Sequence, residues 1–346
     1  MAGKKAAGRR KTAGTRGRGR RKRKRAVRRR RTVSPLMRKV RMALSGLAGV
    51  MLALTVIYCS NHPEALEDLR GRLPEELTVS WQTEQPGPVT EDGLQVHFID
   101  VGQGDSALIE ADGQAMLIDA GENDQGEKVC QYISSQGYDS LSYVVGTHPH
   151  SDHIGGIDDV LYTFRVESLL MPDIGQDTAT YEDVMEAAQS RNVPVSSPEP
   201  GEQFYLGGAL ITVTGPTENY GDDLNSWSLC LKIQYGENVF LFTGDAETQA
   251  EEDMVQYARL RGISLEADVM KGGHHGSSTS NSEILLEAAD PDTVVISCGL
   301  DNEYGHPHEE VIERLARMGC VVYRTDHSGT VTAVCDGTEI TWETEK

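Results

Sequence analysis

Apolar and polar positions alternate in short runs that begin at residue 94 and continue to the end of the chain. LQVHFIDVG (94–102) is a β-type run closing on glycine, and SALIEADGQAMLIDAG (106–121) places two apolar runs around ADGQ, a hairpin pattern. EKVCQYISSQG (127–137) has helical spacing, whereas LSYVVGT (141–147) is a buried-type strand leading directly to His148. GGIDDVLYTF (155–164) predicts a helix, VESLLMP (166–172) a strand and YEDVMEAAQSR (181–191) a helix ending before Pro194. GALITVTGP (208–216) is a strand, and SLCLKIQYGENVFLFTGD (228–245) a hairpin turning at GEN. AETQAEEDMVQYARLRG (246–262) is a helix with glycine beyond its end. ADVM (267–270) and TVVISCG (293–299) are strands separated by the helix SEILLEAA (282–289). The helix HEEVIERLARMG (308–319), the strand VVYRT (321–325) and a last hairpin, GTVTAVCDGTEITWE (329–343), complete the pattern. Hairpins mixed with helices predict an α/β (α+β) fold, two β-sheets flanked by helices, in one domain over 94–346. No internal repeat of fixed short period is visible.

Charge adds a second division. Residues 1–41 carry 20 Lys or Arg and no Asp or Glu, leaving 13 basic and 53 acidic residues for 42–346, a formal charge of −40. Between the two lies MALSGLAGVMLALTVIY (42–58), without a single charge and close to the length that spans a hydrocarbon core. With arginines on one side only, residues 42–60 read as an uncleaved transmembrane signal anchor that leaves the body outside the cytoplasm. The alternative is a secreted body after cleavage of a signal peptide, which the lack of a small-x-small site in CSNHPEA disfavours, as the bulky Tyr58 disfavours lipoprotein cleavage at Cys59. The basic tail 1–41 is expected to be disordered and to lie on anionic lipid. Residues 61–93 are a polar, Pro-bearing linker. Six cysteines show no C-x-x-C pairing and dictate no disulfide.

Candidate chemistry concentrates at strand ends. THPHSDHIGG (147–156) puts His148, His150, Asp152 and His153 into one loop, a set of imidazoles and a carboxylate suited to zinc, manganese or iron. A pair of adjacent ions needs a bridging carboxylate, and Asp245 follows the strand VFLF where a bridge would stand. KGGHHGSS adds His274 and His275 after ADVM. GQGDS supplies Asp105, either a turn former or a group that orients a ligand histidine. YGHPH supplies His306, in a Gly-flanked loop, and His308, which starts a helix.

H-x-H-x-D-H with a later strand-end Asp and His resembles the metallo-β-lactamase fold superfamily. More narrowly, FIDVGQGDSALIE, LIDAG, THPHSDHIGG, FTGDAE, KGGHHGS, YGHPHEEV and YRTDHSG together resemble the hydrolase domain of ComEC-type DNA-uptake proteins, through nearly all of 94–331. The resemblance implies an αββα metallo-β-lactamase sandwich holding two divalent ions, Zn or Mn. His148 and His150 would bind one ion, Asp152 and His153 the other. Asp245 would bridge, and His275 would complete the second site, leaving His274 to face substrate or brace a ligand. The pattern departs from many members at one point: no histidine lies between 154 and 273, and DLNSWSLCL stands where a third ligand is expected, offering Asn225 or water. The multi-pass channel of full ComEC proteins is absent from this sequence.

The resemblance implies phosphodiester hydrolysis, in DNA among other substrates, by a metal-held hydroxide. Asp152, His274 and His306 are the residues assigned to catalysis, the two histidines to the leaving oxygen. The −40 charge of 42–346, with no basic groove visible in 94–346, opposes tight binding of long DNA. Smaller esters (a phosphocholine ester, a lactone, a thioester, a β-lactam) are the alternatives. A catalytically silent, membrane-anchored binding module is the alternative of another class. No obligate protein partner is evident.

Overall fold

The computed structural model describes residues 93–346 together with Pro86, Gly87 and Val89. The basic tail 1–41, the expected anchor at 42–60 and nearly all of the linker 61–93 lie outside the described residues. Among the described residues no helix is long and apolar enough to cross a membrane.

Two sheets, of eight and seven strands, make up the body, the first drawing on its N-terminal half and its last two strands. β1 (Leu94–Phe98), β2 (Ser106–Ala111) and β3 (Gln114–Ala120) run antiparallel. The β2–β3 turn is made by Asp112 and Gly113, both at positive φ, the conformation a two-residue hairpin loop requires. Helices then impose parallel crossovers: α1 (Gly126–Ser135) leads to β4 (Ser140–Val145), and α2 (Ser151–Ile154) with α3 (Ile157–Thr163) leads to β5 (Arg165–Leu170). α4 (Ala179–Arg191) leads to the short edge strand β6 (Val195–Ser196).

The second sheet repeats the scheme. β7 (Gln203–Leu206), β8 (Ala209–Gly215), β9 (Cys230–Tyr235) and β10 (Asn238–Phe242) are antiparallel. α5 (Thr248–Arg261), β11 (Val269–Lys271), α6 (Glu283–Ala289), β12 (Thr293–Ile296), α7 (Glu309–Met318) and β13 (Val321–Arg324) follow, the strands now parallel to β10. After the turn α8 (Thr325–Ser328), the chain crosses back, and β14 (Val331–Cys335) with β15 (Ile340–Thr344) joins the edge of the first sheet beside β1.

Period-2 patterning explains the layers. Phe98, Ile109, Met116 and Ile118 of the first sheet meet Ile211, Leu231, Phe240 and Phe242 of the second in one buried cluster. Their neighbours in sequence point the other way: Leu108 and Leu117 pack under α1, α3 and α4, and Leu241, Val294 and Ile296 under α5, α6 and α7. Phe98 and Phe242 stack at 5.8 Å across the sheets, an aromatic contact worth about 0.5–1.5 kcal/mol beyond burial. The mixed α/β sandwich leaves the carboxyl ends of β4, β10, β11 and β12 as the places where loops can converge.

Candidate metal centre

Those loops do converge. His148, His150, Asp152 and His153 leave the end of β4 and enter α2; Asp245 follows β10; His274 and His275 follow β11. Backbone restraint shapes the last pair. His274 and His275 both adopt left-handed φ (50° and 55°), which costs roughly 1–2 kcal/mol per residue and needs support from neighbours. The His274 amide donates to the Gly244 carbonyl (3.0 Å), while Asn281 clasps Gly273 from both sides, accepting from its amide and donating to its carbonyl at 2.8 Å each. Gly276, at φ 83°, closes the turn, where a Cβ would come within 2.5 Å of Pro307.

Asp245 lies at the middle of the imidazoles. Its Oδ2 is 3.2 Å from His153 Nε2, 3.5 Å from His274 Nε2, 3.6 Å from His275 Nε2 and 3.9 Å from His148 Nε2. Asp152 Oδ2 is 3.2 Å from His275 Nε2 and 3.9 Å from His153 Nε2. One ligand atom each from Asp152, His153, Asp245 and His275 falls within 4.8 Å of the others. His148 Nε2 and His150 Nδ1 face each other at 2.9 Å on the adjoining side.

These residues fit a divalent cation. The donors are the mixed imidazole and carboxylate kind that zinc and manganese take. His153 Nε2 and Asp245 Oδ1 are buried without a hydrogen-bond partner, a state that buried polar atoms rarely keep unless a ligand satisfies them.

The surroundings decide which ring nitrogen faces inward. His153 Nδ1 donates to Asp119 Oδ2 (2.8 Å), and Asp119 also takes the amide and hydroxyl of Thr147, both at 2.8 Å. His275 Nδ1 lies 3.1 Å from the Ser297 carbonyl and 3.2 Å from Asp105 Oδ1. Ser228 Oγ gives its own proton to the Asn225 carbonyl (2.7 Å), so it accepts from the Asp245 amide (3.0 Å) and from His148 Nδ1 (3.3 Å). In all three rings the Nδ1 proton is fixed outward and Nε2 is presented to the centre, the arrangement that sets ligand tautomers in metal sites. Lys271, buried after β11, pairs with Asp105 at 2.8 Å and so braces the group that braces His275.

Asp105 thus lies against a candidate ligand histidine. Asn225 lines the same cleft, donates to Glu247 (3.2 Å) and keeps a buried Oδ1 without a hydrogen-bond partner. His308 sits at the N-cap of α7, where its Nδ1 accepts from the Ser278 amide (2.9 Å). His306 lines the cleft with its Nδ1 buried and without a hydrogen-bond partner. Sequence reasoning missed Asp119, Thr147 and Ser228. LIDAG did carry a signal, an acid at the end of an apolar strand, but it reads as hairpin punctuation until His153 is seen beside it. Replacing Asp119 by asparagine is expected to weaken metal binding about 10–100-fold while the fold persists, measured by competition with a chromophoric chelator. Unchanged affinity would remove Asp119 from the supporting shell.

Electrostatics follow from burial and the carboxylates. Burial opposes a charge on His275, yet Asp245, Asp105 and Asp152 outweigh it and raise its pKa to about 10. For His153 burial again opposes, and Asp245, Asp119 and Asp152 push the pKa well above the usual range. Against the same burial, His153 and His275 hold Asp245 well below the carboxylate range. His148, by contrast, is kept neutral by burial and by the charge of His153. Below pH about 10 His275 therefore holds a proton that an incoming cation must displace. Metal affinity should rise with pH, roughly tenfold per pH unit for each proton displaced. Titration calorimetry in buffers of different ionisation heat checks this, and heats independent of the buffer would contradict it.

The sandwich and its strand-end cluster of histidines and aspartates define a metal-binding hydrolase fold, and comparison with known families agrees. The chain belongs to the metallo-beta-lactamase superfamily, whose family model matches residues 99–300. Among curated proteins it is similar to ComE operon protein 3 of Bacillus subtilis (strain 168), with 31% identity over 255 residues, 68% of this chain and 32% of that protein. Recombination protein 2 of Haemophilus influenzae is 31% identical over 242 residues, 68% of this chain and 28% of that protein. Competence protein ComA of Neisseria gonorrhoeae is 29% identical over 264 residues, 74% of this chain and 34% of that protein. The chain spans about a third of the length of these relatives. Among solved structures, the metallo-beta-lactamase fold protein YhfI from Bacillus subtilis matches with a TM-score of 0.48 and 14% identity over 68% of this chain and 98% of that one.

Proposed function

We propose that the chain is a metal-dependent phosphodiesterase acting on nucleic acid, its hydrolase body 94–346 tethered outside the cytoplasm by the 42–60 segment and its basic tail lying on anionic lipid. The observation that carries the reading is the Asp152–His153–Asp245–His275 cluster at the floor of a cleft of about 320 Å³. His148, His150, Asp152, His153, Asp245 and His275 would hold two divalent ions, Zn or Mn. When bound, the ions supply an acidified water and positive charge against a phosphorane-like transition state.

The chain's own residues do the rest. Asp152, its pKa lowered against burial by His153 and His275, presents an ionised carboxylate to the cleft. His274 Nε2 faces the same space while its Nδ1 rests against Thr279 Oγ1 at 3.2 Å. His306 is held at a pKa of about 4 by burial and by the charges of His275, His274 and His308. A ring that is neutral at pH 7 suits an N–H donor to a phosphate oxygen better than a standing proton source for the leaving group.

Charge favours short substrates. Among the described residues none that lines the cleft is a lysine or arginine, whereas Glu122, Asp152 and Asp245 do line it. A small phosphodiester such as a phosphocholine ester is therefore the second reading. Full-length protein loaded with Zn or Mn should hydrolyse bis(p-nitrophenyl) phosphate with a kcat/KM well above those for nitrocefin and an acyl-homoserine lactone, and EDTA should abolish the activity. Preferred turnover of the lactam or lactone would overturn the phosphodiesterase reading.

A further inference from the structure

At the mouth of the cleft stands a feature that metal chemistry leaves unused. The loop from Ser297 to His308 returns to the site as a pinned piece of backbone. Asn302 Nδ2 donates to the carbonyls of Gly299 (2.9 Å) and His306 (2.6 Å), and its Oδ1 accepts from the His306 amide (2.9 Å). Gly299 is tied to Gln103 Oε1 at 3.1 Å, and the His308 amide to the Gly276 carbonyl at 3.0 Å. From this frame Tyr304 lines the cleft yet remains 67% exposed.

Rings continue inward from it. Tyr304 stacks on His306 at 5.6 Å and 19°, and His306 lies 6.1 Å and 28° from His275. Part of one face of the tyrosine thus rests against His306, and most of the ring is left to water. Among the described residues no lysine or arginine lines the cleft, so none of them offers a cation there to read a phosphate backbone. Affinity for anything beyond the phosphate must come from another contact.

We infer that Tyr304 is a stacking platform that selects substrates carrying an unpaired nucleobase beside the scissile phosphodiester. The inference rests on the phosphodiesterase reading and narrows its substrate to single-stranded ends or short single strands. A flat exposed ring takes a flat base of any sequence, and only an unpaired base offers its face. A quaternary ammonium such as choline asks for aromatic walls on several sides, whereas here a single ring faces outward.

The test compares a thymidine octamer with an octamer of abasic tetrahydrofuran units, both cleaved by full-length, Zn-loaded protein. Wild type should prefer the thymidine octamer by roughly 10–100-fold in kcat/KM. Tyr304→Ala should bring the thymidine octamer down to the abasic level, and Tyr304→Phe should keep the preference. Calorimetric binding of thymidine 3′,5′-bisphosphate should weaken in Tyr304→Ala and not in Tyr304→Phe. Equal rates for both octamers, or a preference that survives Tyr304→Ala, would overturn the platform, while hydrolysis of methyl p-nitrophenyl phosphate would leave the phosphodiesterase reading standing. Absence of hydrolysis with every diester would overturn both. A loss in Tyr304→Ala confined to p-nitrophenylphosphorylcholine would replace the nucleobase by a choline group.

Discussion

Replacing Asp245 by asparagine will lower metal-dependent turnover by at least ~10³-fold with little change in side-chain volume. Among the described residues its Oδ2 is the one carboxylate oxygen within 4 Å of His148, His153, His274 and His275 together, so a single charge would serve both halves of the proposed centre. If Asp245 bridges two ions as proposed, it would contribute several kcal/mol through them, and each 1.36 kcal/mol is tenfold in rate. Metal content and kcat/KM measured on the same preparation separate lost binding from lost chemistry. A variant that keeps both ions and stays within tenfold of wild type would show that Asp245 is not the bridge.

Lys271→Ala is the largest expected loss of stability. The ammonium is buried and pairs at 2.8 Å with Asp105, which is itself buried. Burial opposes the Asp105 charge, but Lys271 and then His275 hold its pKa at about 2. Truncation would remove the stronger of the two cations that hold that carboxylate ionised and leave His275, at a cost of up to about 3–5 kcal/mol. For a body of this size that corresponds to a fall in Tm of roughly 6–20 °C. Neutralising both partners, as Lys271→Met with Asp105→Asn, should recover part of the loss, because no unpaired charge is then left inside. A thermal shift below about 1 °C for Lys271→Ala would mean that the pair is not formed in solution.

Elements whose information is local were legible in the sequence. The hairpin turns at Asp112–Gly113 and Gly236–Glu237 announce themselves through turn chemistry, and α5 and α7 end on Gly262 and Gly319 in the left-handed conformation. β6 and β7 were not legible. Val195 and Ser196 are exposed, and Gln203 to Tyr205 are at most half-buried, so no alternating apolar face marks either strand. The same division holds at the site. The candidate ligands sit in dense local motifs, whereas their supports are remote in sequence: Asp119 lies 34 residues from His153, and Ser228 lies 80 from His148. Ser228 was hidden in DLNSWSLCL, where attention falls on the missing histidine. The structure instead shows its hydroxyl fixing the tautomer of His148. Lys271 carries no signal in sequence, since its burial and its pairing with Asp105, 166 residues away, arise only in the fold.

Metal content of the full-length chain, measured by plasma mass spectrometry after reconstitution with Zn or Mn and removal of free ion, tests the centre most directly. Two ions per chain, falling below one in Asp245→Asn and returning to zero after chelation, is the expected result. A folded wild-type protein that retains no ion would contradict the metal centre and every catalytic role assigned around it.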